Sequence, residues 1–149
     1  MLTRHRSPVE GATAGFLSQA GVELNRAERY RVFVSLSVLD MGPFKEHLGE
    51  SFTETVTKLV AQVRSRIRAC DYASLVGPDC LALLFPETSR QEAEIAAKRT
   101  AELVRQHLSE AVGHEIAEKV PVEIASYPDT AGAKALAEFL QELADKSRN

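Results

Sequence analysis

Two short apolar runs separated by Gly77-Pro78-Asp79 constrain this chain more than any other stretch. A turn rich in Gly, Pro and Asp between two apolar runs, the second covering 81–85, predicts a β-hairpin. A strongly amphipathic pattern stops just before it, so helix and hairpin are joined by only a few residues. Those residues include a charged pair, Arg68 and Asp71. The hairpin tip and this pair are the first candidates for function.

Upstream, Ser7-Pro8-Val9-Glu10 reads as a capping box with proline at the first helical position. Gly11, Gly15 and Gly21 weaken the helix that follows, and 23–30 is a better helix former. Residues 32–39 are β-branched and alternate partly with serine, which predicts a strand with at least one buried face. Residues 40–49 hold Gly42-Pro43 and Gly49 and read as a loop with at most one helical turn. In the next helix Phe52, Val56, Leu59, Val60, Val63 and Ile67 form an apolar stripe, with Ser51-Phe52-Thr53-Glu54 as its cap. Lys58, Arg64, Arg66 and Arg68 lie opposite, the last of them suiting the helix dipole.

After the hairpin, Ser89-Arg90-Gln91-Glu92 is another capping box, opening a helix with Ala93, Ala96, Ala97, Thr100, Leu103, Val104 and Leu108 inward. Residues 113–119 read as a connection and 120–124 as a strand, which Pro121 assigns to an edge or a bulge. Residues 130–145 close the chain as a helix with Leu136, Phe139, Leu140 and Leu143 on one side. Leaving out the leading helix, the order is β-α-β-β-α-β-α. The fold class expected is α+β, a ferredoxin-like βαββαβ core with a mostly antiparallel sheet covered by helices. The domain organisation expected is a tail and leading helix over 1–22 and one domain over 23–149.

Composition narrows the function classes. The 149 residues are 44% hydrophobic and 26% charged, the balance of an ordinary globular domain. A net charge of −3 without a basic run disfavours duplex nucleic acid as a partner. No apolar run approaches the roughly 20 residues of a membrane span, so no membrane insertion is expected. The first residues lack a signal-peptide core, and a cytoplasmic setting is expected. Cys70 and Cys80 have no metal spacing and read as ordinary thiols, and His5, His47, His107 and His114 are equally unpatterned.

The stretch 71–88, with Gly77-Pro78-Asp79-Cys80-Leu81 at its centre and Pro86-Glu87-Thr88 at its end, resembles the signature of GGDEF domains, the diguanylate cyclase family. That signature reads Arg-x-Gly-Gly-Asp/Glu-Glu-Phe, then an apolar strand and Pro-x-Thr. Three other stretches agree in order. Residues 28–45, from Glu28-Arg29-Tyr30 through Val38-Leu39-Asp40 to Phe44-Lys45, resemble the family's first strand and the loop after it. Ile124-Ala125-Ser126-Tyr127-Pro128 resembles its last core strand, and Ala144-Asp145-Lys146 its closing helix. The resemblance covers about residues 23–149 and implies the fold of the GGDEF and nucleotidyl cyclase type.

The departures imply a domain without catalysis. Pro78 replaces the second glycine, removing an N–H and adding bulk where the substrate's phosphates approach. Cys80 replaces an acid and is a poor ligand for hard Mg²⁺. Asp40 and Asp79 remain as a remnant metal pair. The loop after Lys45 is shorter than the family's, the guanine-selecting Asn and Asp are absent with Leu48 and Thr53 standing nearest, and the last helix ends before the family's usual phosphate-holding Lys and Arg. The resemblance thus implies no catalytic residues, no metal and no cofactor.

What the resemblance retains is an Arg-x-x-Asp motif, Arg68-Ala69-Cys70-Asp71, five residues before Gly77. In the family this is the inhibitory site for cyclic di-GMP, and a second arginine from the following helix, here Arg99, often joins it. Arginine can donate to guanine O6 and N7 or to phosphate, while a carboxylate accepts from guanine N1–H and N2. The implied function is a cyclic di-GMP receptor using Arg68, Asp71 and Arg99, with the ligand bound as an intercalated dimer. The implied partner is another protein or a second copy of the chain. Two other readings stand beside it. One is a ligand-independent interaction module that holds a protein partner through its leading helix or the vacated nucleotide groove, with Arg68 and Asp71 an ordinary surface ion pair. The other is residual cyclase or GTP-binding chemistry with a remnant site at Asp40 and Asp79.

Overall fold

The valine, leucine and serine run becomes the middle of a four-stranded sheet because both of its faces are buried. In the computed structural model, which describes residues 8–117, 120–128 and 135–148, β1 (Val34–Asp40) lies between two other strands. These are β3 (Cys80–Pro86) and β4 (Val122–Tyr127), and β2 (Tyr72–Val76) pairs with β3 at the other edge. All pairings are antiparallel, and Leu36 stands opposite Leu84 on one side and Ala125 on the other. This is the expected α+β, split βαβ arrangement.

Val34, Leu36 and Val38 join Phe16 and Ala20 of α1 (Pro8–Tyr30) and Leu136, Phe139 and Leu143 of α6 (Leu136–Arg148). On the other face Leu39, Leu81, Leu83 and Phe85 lie beneath α3 (Phe52–Arg64) and α4 (Arg90–Val112). Helices therefore cover both faces of the sheet. Among the described residues no helix is long and apolar enough to cross a membrane.

The leading helix is continuous over 23 residues in spite of Gly15 and Gly21, because Phe16, Ala20 and Ala27 bury its inner stripe. It ends in a Schellman-type cap: the Val32 N–H donates to Ala27 O at 3.2 Å, and Arg31 takes the left-handed φ of 56° that usually falls to glycine. Ser7, expected to cap it, lies outside the described residues.

The segment after β1 differs from the loop expected of it. Gly42–Leu48 forms α2 and Gly49–Ser51 a 3-10 turn. Gly42-Pro43 does not break this helix, since proline sits in its first turn, where no N–H is needed. The Gly42 N–H instead donates to Asp40 Oδ1 at 2.8 Å, and Phe44 is fully buried. Because the 3-10 turn runs straight into α3, Ser51 is itself helical and its side chain makes no cap, contrary to expectation. The helix also stops at Arg64, where Ser65 Oγ donates back to Gln62 O, so Ile67 and Arg68 fall in the following turn. The capping box at Ser89 and Glu92 forms as expected. Residues 114–117, expected within a connection, form the short α5 (His114–Ala117). Pro121 does precede an edge strand, and its carbonyl accepts from Asp40 N at 3.1 Å.

Candidate functional site

Arg68 and Asp71 are drawn together by a turn between α3 and β2. Asp71 N–H donates to Arg68 O at 3.0 Å, and Asp71 Oδ2 accepts from Arg68 N–H at 3.0 Å, so main chain and side chain close the same turn. The guanidinium then folds onto the carboxylate, with Nε donating to Oδ2 at 3.2 Å and Nη2 to Oδ1 at 3.1 Å. Nη2 also donates to Pro86 O and to Thr88 Oγ1. These bonds to Asp71 raise the Arg68 pKa further, leaving it charged at any physiological pH.

The support for Arg68 reaches into the sheet. Thr88 Oγ1 donates to Pro86 O at 2.9 Å and is thereby oriented to accept from Arg68. The Thr88 carbonyl accepts from the buried Ser35 hydroxyl at 2.8 Å, and Ser35 meets Ser126 at 2.8 Å. The serines interleaved in β1 thus include one that fixes the strand exit under Arg68.

Arg68 and Asp71 line a groove of about 730 Å³ whose other wall is α4. Arg99 lines the same groove, so the structure brings the three expected residues to one place. Arg99 is exposed and makes no ion pair among the described residues. The Asp71 side chain is only 4% exposed, against 55% for Arg68, and its oxygens already accept from Arg68. In this arrangement Asp71 holds the guanidinium, while Nη1 takes part in none of these bonds.

Sequence reading missed Thr88, Glu92, Ile95 and Lys98 as parts of this groove. Glu92, Ile95, Arg99 and Leu103 recur at helical spacing on α4, a signal that could have found most of that wall. Ile95 is 56% exposed, an apolar side chain left uncovered in a groove lined by charges of both signs. The Glu92 carboxyl is held below its usual range by the Ser89 backbone N–H and hydroxyl, with the Arg68 charge adding to the effect.

The hairpin tip holds a second cluster. Ligand atoms of Asp40, Asp79 and Cys80 lie within 4.8 Å of one another, in a small cavity of about 230 Å³ that Lys146 also lines. Burial, and then the Asp79 charge, push the Cys80 thiol up to about 11, so at neutral pH it is protonated. Asp40 Oδ1 is already occupied by the Gly42 N–H. Two carboxylates and a soft thiol do not fit a pair of hard cations that need several oxygen ligands each.

An α+β domain with this strand order and these flanking helices has the fold of GGDEF domains. No family model and no curated protein matches the sequence. Among solved structures the fold is similar to that of the diguanylate cyclase SiaD from Pseudomonas aeruginosa, solved with its activator SiaC. That match has a TM-score of 0.68 and 21% identity, and covers 95% of this chain and 55% of SiaD. The GGDEF domain of DgcB from Caulobacter crescentus, solved in complex with c-di-GMP, matches with a TM-score of 0.65 and 18% identity, covering 99% of this chain and 94% of that one. The active GGEEF domain of a diguanylate cyclase from Vibrio cholerae matches with a TM-score of 0.61 and 18% identity, over 87% of this chain and 83% of that one. This chain therefore spans about half the length of SiaD and most of the other two.

Proposed function

We propose that this chain is a degenerate member of the GGDEF family, a receptor for cyclic di-GMP without cyclase activity. The observation that carries the proposal is the meeting of Arg68, Asp71 and Arg99, from a turn and a helix distant in sequence, around one groove of about 730 Å³. Arg68 is fixed by Asp71 and Thr88, so little side-chain freedom remains to be lost on binding. Its Nη1 hydrogens and Arg99 supply donors for guanine O6 and N7 or for the phosphodiester. Ile95 supplies an apolar surface for a base. Asp71 acts as the residue that positions Arg68. The reading of no cyclase activity is supported by the chemistry at the hairpin tip, where Pro78 and Cys80 stand in place of a glycine and an acid.

Isothermal titration with cyclic di-GMP tests the receptor reading. Wild type should bind at or below about 50 μM, equivalent to about −6 kcal/mol, and Arg68→Ala should weaken binding by about tenfold or more. Equal binding by Arg68→Ala, or none by wild type, overturns it. Incubation with GTP and Mg²⁺ or Mn²⁺ should yield no cyclic dinucleotide, and product formation would refute the claim of inactivity. A ligand-independent interaction module remains the second reading, favoured by Tyr30 and Phe33, which are 63% and 49% exposed near the junction of α1 and β1. A protein partner that tolerates Arg68→Ala and ignores cyclic di-GMP would support it over the first.

A further inference from the structure

Arg68 stands between two cavities. The second, of about 480 Å³, opens on the far side of the Arg68–Asp71 turn and is walled by α1. It shares Ile67, Arg68 and Asp71 with the first and adds Gln19, Arg64 and Tyr72. Its size falls within the roughly 300–1,000 Å³ typical of small-molecule sites.

We infer that this cavity is a second purine subsite of the same ligand, so that a cyclic purine dinucleotide straddles Arg68 and α1 becomes part of the receptor. The inference rests on the receptor reading above and deepens it. The chemistry of the walls selects the occupant. Arg64 Nε donates to Ala73 O at 2.9 Å, which fixes the guanidinium at the cavity edge, and Arg64 makes no ion pair among the described residues. Tyr72 is 37% exposed on edge strand β2 and offers an aromatic face. A planar purine base stacks on such a ring and on a guanidinium plane. Gln19 adds an amide that can donate to or accept from a purine edge, and among the described residues its amide is held by a long 3.4 Å contact to Glu23. Among the described residues Asp71 is the only acid in the lining, and its carboxylate is already neutralised by Arg68. The cavity is therefore net positive and suits the phosphodiester that would pass Arg68 between the two bases.

Gly15 provides a clean probe. It lines the cavity, and a Cβ built on it meets no heavy atom within 4 Å. A leucine there extends from open space into the cavity, and it replaces a poor helix former with a good one. Gly15→Leu, Tyr72→Ala and Arg68→Ala are compared with wild type by isothermal titration with cyclic di-GMP and, separately, with GMP, which is too small to occupy both cavities. Thermal melts confirm that Gly15→Leu is at least as stable as wild type. Gly15→Leu and Tyr72→Ala should each weaken cyclic di-GMP binding by about tenfold, a factor well resolved by titration. The preference for cyclic di-GMP over GMP should shrink by the same factor. If both variants bind cyclic di-GMP within about twofold of wild type while Arg68→Ala loses it, the second subsite is refuted and the receptor reading stands. If wild type does not bind cyclic di-GMP, both fall.

Discussion

Thr13→Val should loosen the leading helix from the hairpin, and the structure sets the size of the effect. Thr13 is 6% exposed on α1, and its hydroxyl makes two bonds to β2 and the turn after it. It accepts from Gly77 N–H at 3.0 Å and donates to Leu75 O at 3.3 Å. Valine keeps the shape and removes both. Losing the first bond leaves a half-buried N–H unsatisfied, at a cost of about 1–3 kcal/mol, and the longer second bond adds about 0.5 kcal/mol. The added methyl in a buried site returns about 0.8 kcal/mol. The net expectation is a loss of about 0.7–2.7 kcal/mol. With an m-value of about 2 kcal/mol/M, this lowers the urea midpoint by about 0.4–1.4 M. Thr13→Ser keeps both bonds and loses only the methyl, so it should cost about 0.8 kcal/mol. Hydrogen exchange at the Gly77 amide supplies a local readout, since that N–H should exchange faster in Thr13→Val and not in Thr13→Ser. A Thr13→Val midpoint within about 0.1 M of wild type, with unchanged Gly77 exchange, would refute the latch.

Other perturbations follow from particular contacts. Arg31→Gly relieves a left-handed φ of 56° at the C-cap of α1 and should raise stability by about 1 kcal/mol, read from urea unfolding. Ser37 is fully buried and its Oγ has no hydrogen-bond partner among the described residues, so Ser37→Ala should be neutral or stabilising by up to about 1 kcal/mol. Ser35→Ala, by contrast, removes a 2.8 Å bond to Thr88 O and should cost about 1–2 kcal/mol in the same assay while loosening Arg68. Burial raises the Cys80 thiol from 9.0 to about 11, so the folded chain holds this proton more tightly than the unfolded one. The Cys80 contribution is therefore complete below about pH 9 and declines as the pH rises towards about 11, at up to about 1.4 kcal/mol per pH unit. Unfolding curves at pH 7 and pH 10.5 should show a larger alkaline loss for wild type than for Cys80→Ala, and equal losses would count against the shift.

Much of the architecture is written locally. The hairpin needed only two apolar runs and Gly77-Pro78-Asp79, and the capping box at Ser89 and Glu92 depends on residues three apart. The stripes of α3 and α4 follow from the 3.6-residue period, which is set by the backbone itself. Arg68 and Asp71 were legible for the same reason, because they close a turn within four residues. Local signals misled where the outcome depended on distant packing. Gly42-Pro43 looked like a helix breaker, yet the burial of Phe44 and the carboxylate of Asp40 stabilise α2. Ser51 looked like a cap, yet the preceding turn made it helical. Gly15 and Gly21 looked like interruptions, yet the sheet beneath α1 held the helix whole.

The sequence by itself determined the order of the strands and long helices, the antiparallel hairpin and the pair at its base, since each rests on neighbours along the chain. Only the tertiary structure decided that α1 docks on the sheet. It alone brought Arg99 across to Arg68, left Thr88 and Ser35 supporting that guanidinium, and placed cavities on both sides of it. Those outcomes depend on which surfaces are close in space after burial, and periodicity along one element carries no information about the element that will cover it.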